Sequence, residues 1–536
     1  MTTLLVNGRI HSPAMPDATA MAVTDGADAA VRWLGSDEVG RVQFPGAEVV
    51  DLDGGFVAPA FVDSHVHLTS TGLNVGGLDL RGATSLEDLV RLVGDYARRN
   101  PDGPIWGHGW DETAWPRPVP PTTADLDGVI GDRPAYLARV DVHSAAASTV
   151  LRRLAPEAQT ATGWHGERPL TAAAHHLIRA QARRLLTPAQ LRAARVAALD
   201  LAARSGIVAV HECAGPEIGG LDDWLAVRAL DHGVDVVGYW GEAVSSAERA
   251  RDLLAETGAA GLAGDLFVDG ALGSHTAWLH EPYADADTCG NAYLDVEAVE
   301  AHLAACTDVG VPAGFHVIGD AAVATVVTAL ERVVTRYGAP AVARCGHRLE
   351  HLEMVSAEQA ARLGSWGVIA SVQPNFDALW GGADGMYAQR LGADRALGLN
   401  PLALLASSGV PLAFGSDSPV TGVDPWATVR AAVHHRTPGS AVSARAAFSA
   451  ATRGAWRAAG IRDGVTGTLV PGAPASYAVW DLPGGADDLE VAAPSDTVAR
   501  WSTEPNSRVP ALPSLDPAHA LPTCRTTVHR GAVLHG

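Results

Sequence analysis

Gly55-Phe-Val-Ala-Pro-Ala-Phe-Val-Asp-Ser-His-Val-His-Leu68 is the stretch on which the fold turns. Its apolar run reads as a buried strand that delivers His65 and His67 at its end. Residues i and i+2 of a strand point to one face, so both imidazoles converge on one spot. Two neutral imidazoles so aimed can hold a divalent metal at about 2.0–2.1 Å. An isolated His-x-His is more often a pair of ordinary strand-end histidines, and the residues downstream change that balance.

Outward from this strand, the chain between about 60 and 460 alternates strand and helix patterns. Further strands are predicted at Ile207–Val210, Leu266–Val268, Val311–Phe315, Gly367–Val372 and Val410–Phe414, with Ala-, Leu- and Arg-rich helices such as 186–204 and 294–308 between them. Repeated βα units imply parallel strands, and this number suggests an α/β fold, a (β/α)8 TIM barrel. Residues 1–58 carry short β-like runs punctuated by Gly and Asp, and residues 463–536 carry similar ones. The two ends are therefore expected to pair into one small β-sandwich domain, with the barrel at 59–462 inserted between them. Residues 70–180 are less regular and rich in Trp and Pro, and read as an insertion folding over the barrel mouth.

In a barrel enzyme the chemistry sits at the C-terminal ends of the strands. Here those ends carry His65 and His67, then His211-Glu212, Asp265 to Asp269, His316, His351 and Asp417. A lone strand-end histidine is usually structural. The ordered set His-x-His, His, His, Asp, each member after a β-like run, points to a metal centre.

Composition narrows the remaining classes. At 47% hydrophobic and 18% charged residues the chain has an ordinary globular balance. Its net charge of −21 disfavours nonspecific binding to nucleic acid or anionic membranes. No uninterrupted apolar run approaches the roughly 20 residues of a membrane-spanning helix, and the N-terminus lacks the pattern of a secretory signal. Five scattered cysteines without a Cys-x-x-Cys pair suggest reduced thiols and a cytoplasmic location. The sequence contains no lysine, so all 39 basic residues are arginine, which removes Schiff-base and carbamylated-lysine chemistry.

Taken together, the segments Gly54–His67, Gly109-Trp-Asp111, Asp269-Gly-Ala-Leu-Gly-Ser274, His316-Val-Ile-Gly-Asp320, Arg348-Leu-Glu-His351, Ser371–Asn375 and Gly415-Ser-Asp-Ser-Pro-Val420 resemble the amidohydrolase superfamily. Within it they resemble the branch that includes N-substituted formamide deformylases and related large amidohydrolases. The resemblance implies that His65, His67 and Asp417 bind one divalent metal, zinc by preference, and that His316 and His351 bind a second where one is present. It also implies that Asp417 moves the proton from water to the leaving group. Many relatives bridge two metals with a carbamylated lysine, where this chain has Asp265. Because an aspartate is much shorter, the expectation is a single metal held by His65, His67, His316 and Asp417, with His351 polarising the substrate carbonyl. A second metal bridged by Asp265 or by Glu212 is the alternative.

Four further residues are candidate substrate contacts: Asp269, His143, Trp110 and Asp111, with Trp106 and Trp115 extending an aromatic wall. Paired His175-His176 and His434-His435 read as helix-surface residues. The expected activity is hydrolysis of a non-peptide carbon–nitrogen bond of amide type in a small molecule. Deamination of a cyclic amidine is the enzymatic alternative, kept open by Glu212, and a non-catalytic barrel serving as a binding scaffold is the other. The sequence leaves room for a homodimer.

Overall fold

The strand Phe61–Val66 is buried along its whole length, as its apolar sequence requires. It pairs in parallel with Ile207–Ala214, which pairs in parallel with Asp235–Trp240. A second parallel sheet runs Gly314–Val317, Arg348–His351, Ile369–Val372, Leu412–Phe414. This computed structural model describes residues 1–26, 28–437, 439–490 and 510–536.

The two sheets meet at both margins. Val66 bridges Ser418 on one side; Tyr239–Gly261, Leu262–Ala313 and Phe267–His316 bridge on the other. The strand expected at Leu266–Val268 is thus reduced to isolated bridges. Gly264 has φ +77°, and a Cβ on Gly241 would lie 2.6 Å from the Asp265 carbonyl oxygen. The backbone turns at Gly264 and presses against Gly241, which a regular strand with side chains on both sides would not allow.

Helices between the strands cover the sheets, and Phe61, Phe315, Leu349 and Val372 share one buried core with helix residues Leu199, Leu303, Val326 and Leu363. Each such side chain removed from water contributes about 1.5–3 kcal/mol before entropic costs. Helix Pro188–Arg204 starts at a reciprocal Thr187–Gln190 capping box with Pro at its first turn, and helix Val296–Val309 stops at left-handed Gly310. Helix Leu68–Gly76 packs closely on Pro188–Arg204, where a Cβ on Gly72 would lie 1.7 Å from Ala194 O.

Strands from both chain ends share one sheet, ordered Arg9–Ile10, Phe56–Pro59, Tyr477–Asp481, Thr523–His529, Ala532–His535. A four-stranded sheet of N-terminal residues lies beside it, joined through Val31 N–H to Ala473 O. The stretch 70–180 is more regular than its sequence suggests. It builds a five-stranded sheet from Leu78–Asp79, Ile105–Trp110, Ala135–Arg139, Ser144–Ala147 and Leu170–Thr171. Gly107 and Gly109 interrupt the alternation that would have marked the strand Ile105–Trp110, and a Cβ at Gly107 would meet Leu137 at 2.6 Å. Among the described residues no helix is long and apolar enough to cross a membrane.

Candidate metal centre

Strand pairing brings the first and last strand ends together. Asp417 N–H donates to His65 O at 2.8 Å and His67 N–H to Ser418 O at 2.9 Å. Gly415 permits this approach, since a Cβ there would lie 2.5 Å from His65 N. As a result Asp417 Oδ1 stands 3.4 Å from His65 Nε2 and 3.3 Å from His67 Nε2. Asp417 and His351 both have positive φ, +52° and +70°, which costs a non-glycine residue about 1–3 kcal/mol each. The surrounding strand pairings hold them there, and the turn aims both side chains inward.

Asp265 occupies the middle of the cluster. Its Oδ2 is 3.1 Å from His67 Nε2, while its Oδ1 is 3.5 Å from His65 Nε2, 3.5 Å from His316 Nδ1 and 3.8 Å from His351 Nε2. The inward backbone at Gly264 is what lets so short a side chain reach. Glu212 does not join it. Its Oε2 accepts the Leu68 N–H at 2.7 Å, so it fixes the start of the helix that follows His67. Burial pushes its carboxyl up to about 7, with His67 and that hydrogen bond acting in opposition.

The facing atoms have the chemistry of a metal site. Among the described residues His65 Nε2, Asp265 Oδ1, His316 Nδ1, His351 Nε2 and Asp417 Oδ1 are all buried without a hydrogen-bond partner. Leaving so many polar atoms unsatisfied is costly unless they bind something in common. Two triplets, His65–His67–Asp417 and His65–Asp265–His351, each bring their ligand atoms within 4.8 Å of one another. The outer nitrogens of the rings are held by acceptors, so that the opposite nitrogens face inward. His65 Nδ1–H donates to Glu350 Oε2 at 2.9 Å, His351 Nδ1–H to Gln373 Oε1 at 2.8 Å, and His316 Nε2–H to Gly270 O at 3.3 Å. Such outer contacts set the tautomer and basicity of metal-binding imidazoles. The chain therefore carries a divalent-metal site.

A third triplet, His65–Cys213–Glu350, has different chemistry. Burial pushes the Cys213 thiol up to about 12, and Glu350 is engaged by Arg348 at 2.5 and 2.9 Å. Burial opposes charge on His65 and His67, yet the surrounding acidic groups outweigh it. His65 lies well above the ordinary histidine range and His67 at about 9. Burial works against ionisation of Asp265 too, and the histidines around it still hold it well below the carboxylate range.

The candidate substrate contacts fall in different places. Asp269 is fully buried and accepts N–H bonds from Ile318, Gly319 and Trp278 at 3.0, 2.7 and 2.9 Å, so it anchors the loop after His316. Trp110 is enclosed in the insertion's own core and donates to Leu137 O; Trp115 likewise donates to Ala83 O. Neither belongs to a wall at the mouth, because each indole N–H is satisfied by a carbonyl within the insertion. Asp111 is spent on Arg139, which also binds Glu112 and Asp141 at 2.8 and 2.9 Å. His143 does reach the centre, its ring 5.1 Å from that of His316. It lines two clefts of about 30 Å³ each. One is bordered by His67, Asp265, Trp106 and His176, the other by His316, His351, Asp417, Phe376, Trp380 and Tyr387.

Four contributors are not legible in the sequence as site residues. Glu350 and Arg348 back His65, and the guanidinium also reaches Ser64 O, Ser371 Oγ and His211 Nδ1 at 2.6, 2.9 and 3.0 Å. His175 and His176 are not surface residues of their helix. His175 is fully buried against the Tyr136 hydroxyl at 2.8 Å, and His176 borders the cleft with its Nδ1 on Glu217 at 2.8 Å. The insertion sheet packs over this face of helix Ala172–Arg184, which helical spacing alone could not reveal.

Comparison with known proteins agrees with this architecture. A profile of the Amidohydrolase family matches residues 48–535. The chain is 28% identical over 526 residues to Protein LONG AFTER FAR-RED 3 of Arabidopsis thaliana, covering 89% of this chain and 88% of that one. It is 27% identical over 434 residues to the putative amidohydrolase YtcJ of Bacillus subtilis (strain 168), covering 76% and 79%. An uncharacterized metal-dependent hydrolase from Pyrococcus horikoshii OT3 superposes with a TM-score of 0.70 at 26% identity, covering 90% of this chain and 97% of that structure. The chain belongs to the amidohydrolase family, a hydrolase superfamily acting on carbon–nitrogen bonds other than peptide bonds.

Proposed function

We propose that this chain is a metal-dependent hydrolase that cleaves an amide-type, non-peptide carbon–nitrogen bond in a small organic molecule. The fold we assign is a (β/α)8 barrel whose fourth strand is the irregular 261–268 segment, with a β domain drawn from 1–58 and 463–536. We take the formamide-deformylase branch as a chemical template, on the strength of the segments at the strand ends that resemble it. Five free cysteines favour a reducing compartment such as the cytoplasm.

One observation carries the reading: buried, unpartnered ligand atoms from five strand-end residues face one another. A divalent cation held there, zinc being well suited to imidazole and carboxylate donors, supplies Lewis acidity and a water acidified toward neutrality. We favour two cations: His65, His67 and Asp417 would hold one, and Asp265 with His351, with His316 standing beside them, would hold the other. The expectation of one metal rests on the short reach of an aspartate; the inward backbone at Gly264 supports the two-metal alternative instead. The Gln373 contact also favours ligation by His351 over polarisation of a carbonyl, because it leaves Nε2 without a proton. Asp417 takes a proton from the attacking water and returns it to the departing nitrogen. The cleft bordered by Phe376, Trp380 and Met386 receives an organic substituent. Glu212, committed to Leu68 N–H, gives the deaminase alternative no support.

The test is hydrolysis of a panel of N-formyl and N-acetyl amines by metal-loaded protein, read as amine release. Asp417→Asn, which tolerates the left-handed backbone, is expected to lower kcat by about 100-fold or more, the range typical of a lost proton-transfer group. Release of ammonia from cyclic amidines with no amide hydrolysis would overturn the reading.

A further inference from the structure

Arg179 lies on helix Ala172–Arg184 and is only 9% exposed, yet among the described residues no carboxylate lies within the 4.0 Å of an ion pair. Its Nη2 donates to Glu217 O at 2.6 Å, and its buried Nε has no partner among the described residues. Other buried arginines are spent. Arg139, Arg183, Arg195, Arg348 and Arg390 each pair with at least one carboxylate, and Arg152 donates to three backbone carbonyls. A buried guanidinium with no carboxylate in direct contact is costly, so its retention at a cleft wants an anion.

The cleft that Arg179 borders also holds His67, Asp265, His143 and His176. His176 is tied through Nδ1 to the Glu217 carboxylate, which fixes the ring beside Arg179. The cleft is about 30 Å³, room for a group as compact as a carboxylate. A guanidinium offers two parallel N–H groups that match the two oxygens of a carboxylate.

We propose that Arg179, supported by His176, binds a carboxylate of the substrate, so that the substrate class is a small amide carrying a carboxylate near the scissile bond. This rests on the amide-hydrolase reading. Asp265 and His67 share the cleft, so the anion lies beside the reacting centre, while the substituent occupies the cleft beyond His351. Arg179 is a specificity residue and takes no part in bond breaking.

The experiment compares matched pairs, N-formyl- and N-acetyl-phenylalanine against N-formyl- and N-acetyl-phenethylamine, which lack the carboxylate. Turnover and calorimetric binding are measured on metal-loaded wild type, Arg179→Gln and Arg179→Lys. Wild type is expected to prefer the acids by about 10- to 100-fold in KM and in Kd, the range for a hydrogen-bonded charge pair. Arg179→Gln loses that preference, read as KM and Kd of the acids rising to those of the neutral amides, and Arg179→Lys, which keeps charge without the fork, retains part of it. Equal binding of acid and neutral partners by wild type overturns the proposal, as does an undiminished preference in folded Arg179→Gln or Arg179→Lys, which would place the carboxylate on the metal. If no amide is hydrolysed, the amide-hydrolase reading falls, and the binding comparison still decides Arg179.

Discussion

Glu350 is the most exacting point at which to perturb the centre. It is fully buried, accepts the His65 Nδ1–H at 2.9 Å, and receives two N–H groups of Arg348. Burial opposes its ionisation, but Arg348 and then His65 hold the carboxyl well below its usual range. Glu350→Gln keeps the volume and an acceptor oxygen while removing the charge. Loss of such an outer contact lowers metal affinity by about 10- to 100-fold, or about 1.4–2.7 kcal/mol. Glu350→Ala in addition strands a buried guanidinium, for which breaking a buried pair costs about 3–5 kcal/mol. The bonds of Arg348 to Ser64, Ser371 and His211 place the expected loss near the lower figure. Metal affinity is measured by competition with a chelating dye, and stability by the urea midpoint of metal-free protein. Unchanged metal affinity in Glu350→Gln, together with Glu350→Ala within about 1 kcal/mol of wild type, would refute the claim that this pair orients His65.

Two perturbations away from the centre test the fold that positions it. His302 accepts Val244 N–H through Nδ1 and donates to Leu262 O through Nε2, so neither nitrogen can take a further proton without losing a bond. Burial pulls its pKa from 6.5 down to about 4. Between those values the unfolded chain binds more protons, so this contribution is complete above pH 6.5 and shrinks as pH falls toward 4, amounting to about 2 kcal/mol by pH 5. Urea unfolding at pH 7.5 and 5 is expected to show that loss in wild type and a smaller one in His302→Gln; an equal loss in both would contradict it. Gly72→Ala places a methyl against Ala194 O and is expected to cost about 1–3 kcal/mol by overpacking two helices. A neutral effect on the thermal midpoint would show that the helices part freely.

The strand ends were legible because each apolar run was followed directly by His or Asp, a pattern that survives without knowing how strands pair. Asp265 was visible as a position, but not its reach, since that depends on Gly264 turning and Gly241 yielding space. Trp110 looked like a pocket wall because an aromatic residue beside Asp111 reads the same whether it faces a ligand or a core. Its indole N–H on Leu137 O settles that it faces a core. His175, His176 and Arg179 lie on a helix with no clean apolar stripe, so which face was covered depended on an insertion sheet that Gly107 and Gly109 disguised. Glu350 sat inside a quoted motif, yet its partner His65 lies far away in the sequence, where no spacing rule applies.

Metal content per chain, measured on protein purified without chelator and after loading with zinc, bears most directly on the centre. The account predicts two divalent ions in wild type, falling to one or none in Asp265→Ala. A single tightly held ion in both would remove Asp265 as a ligand of the second ion, and no metal in wild type under any loading would contradict the metal centre itself.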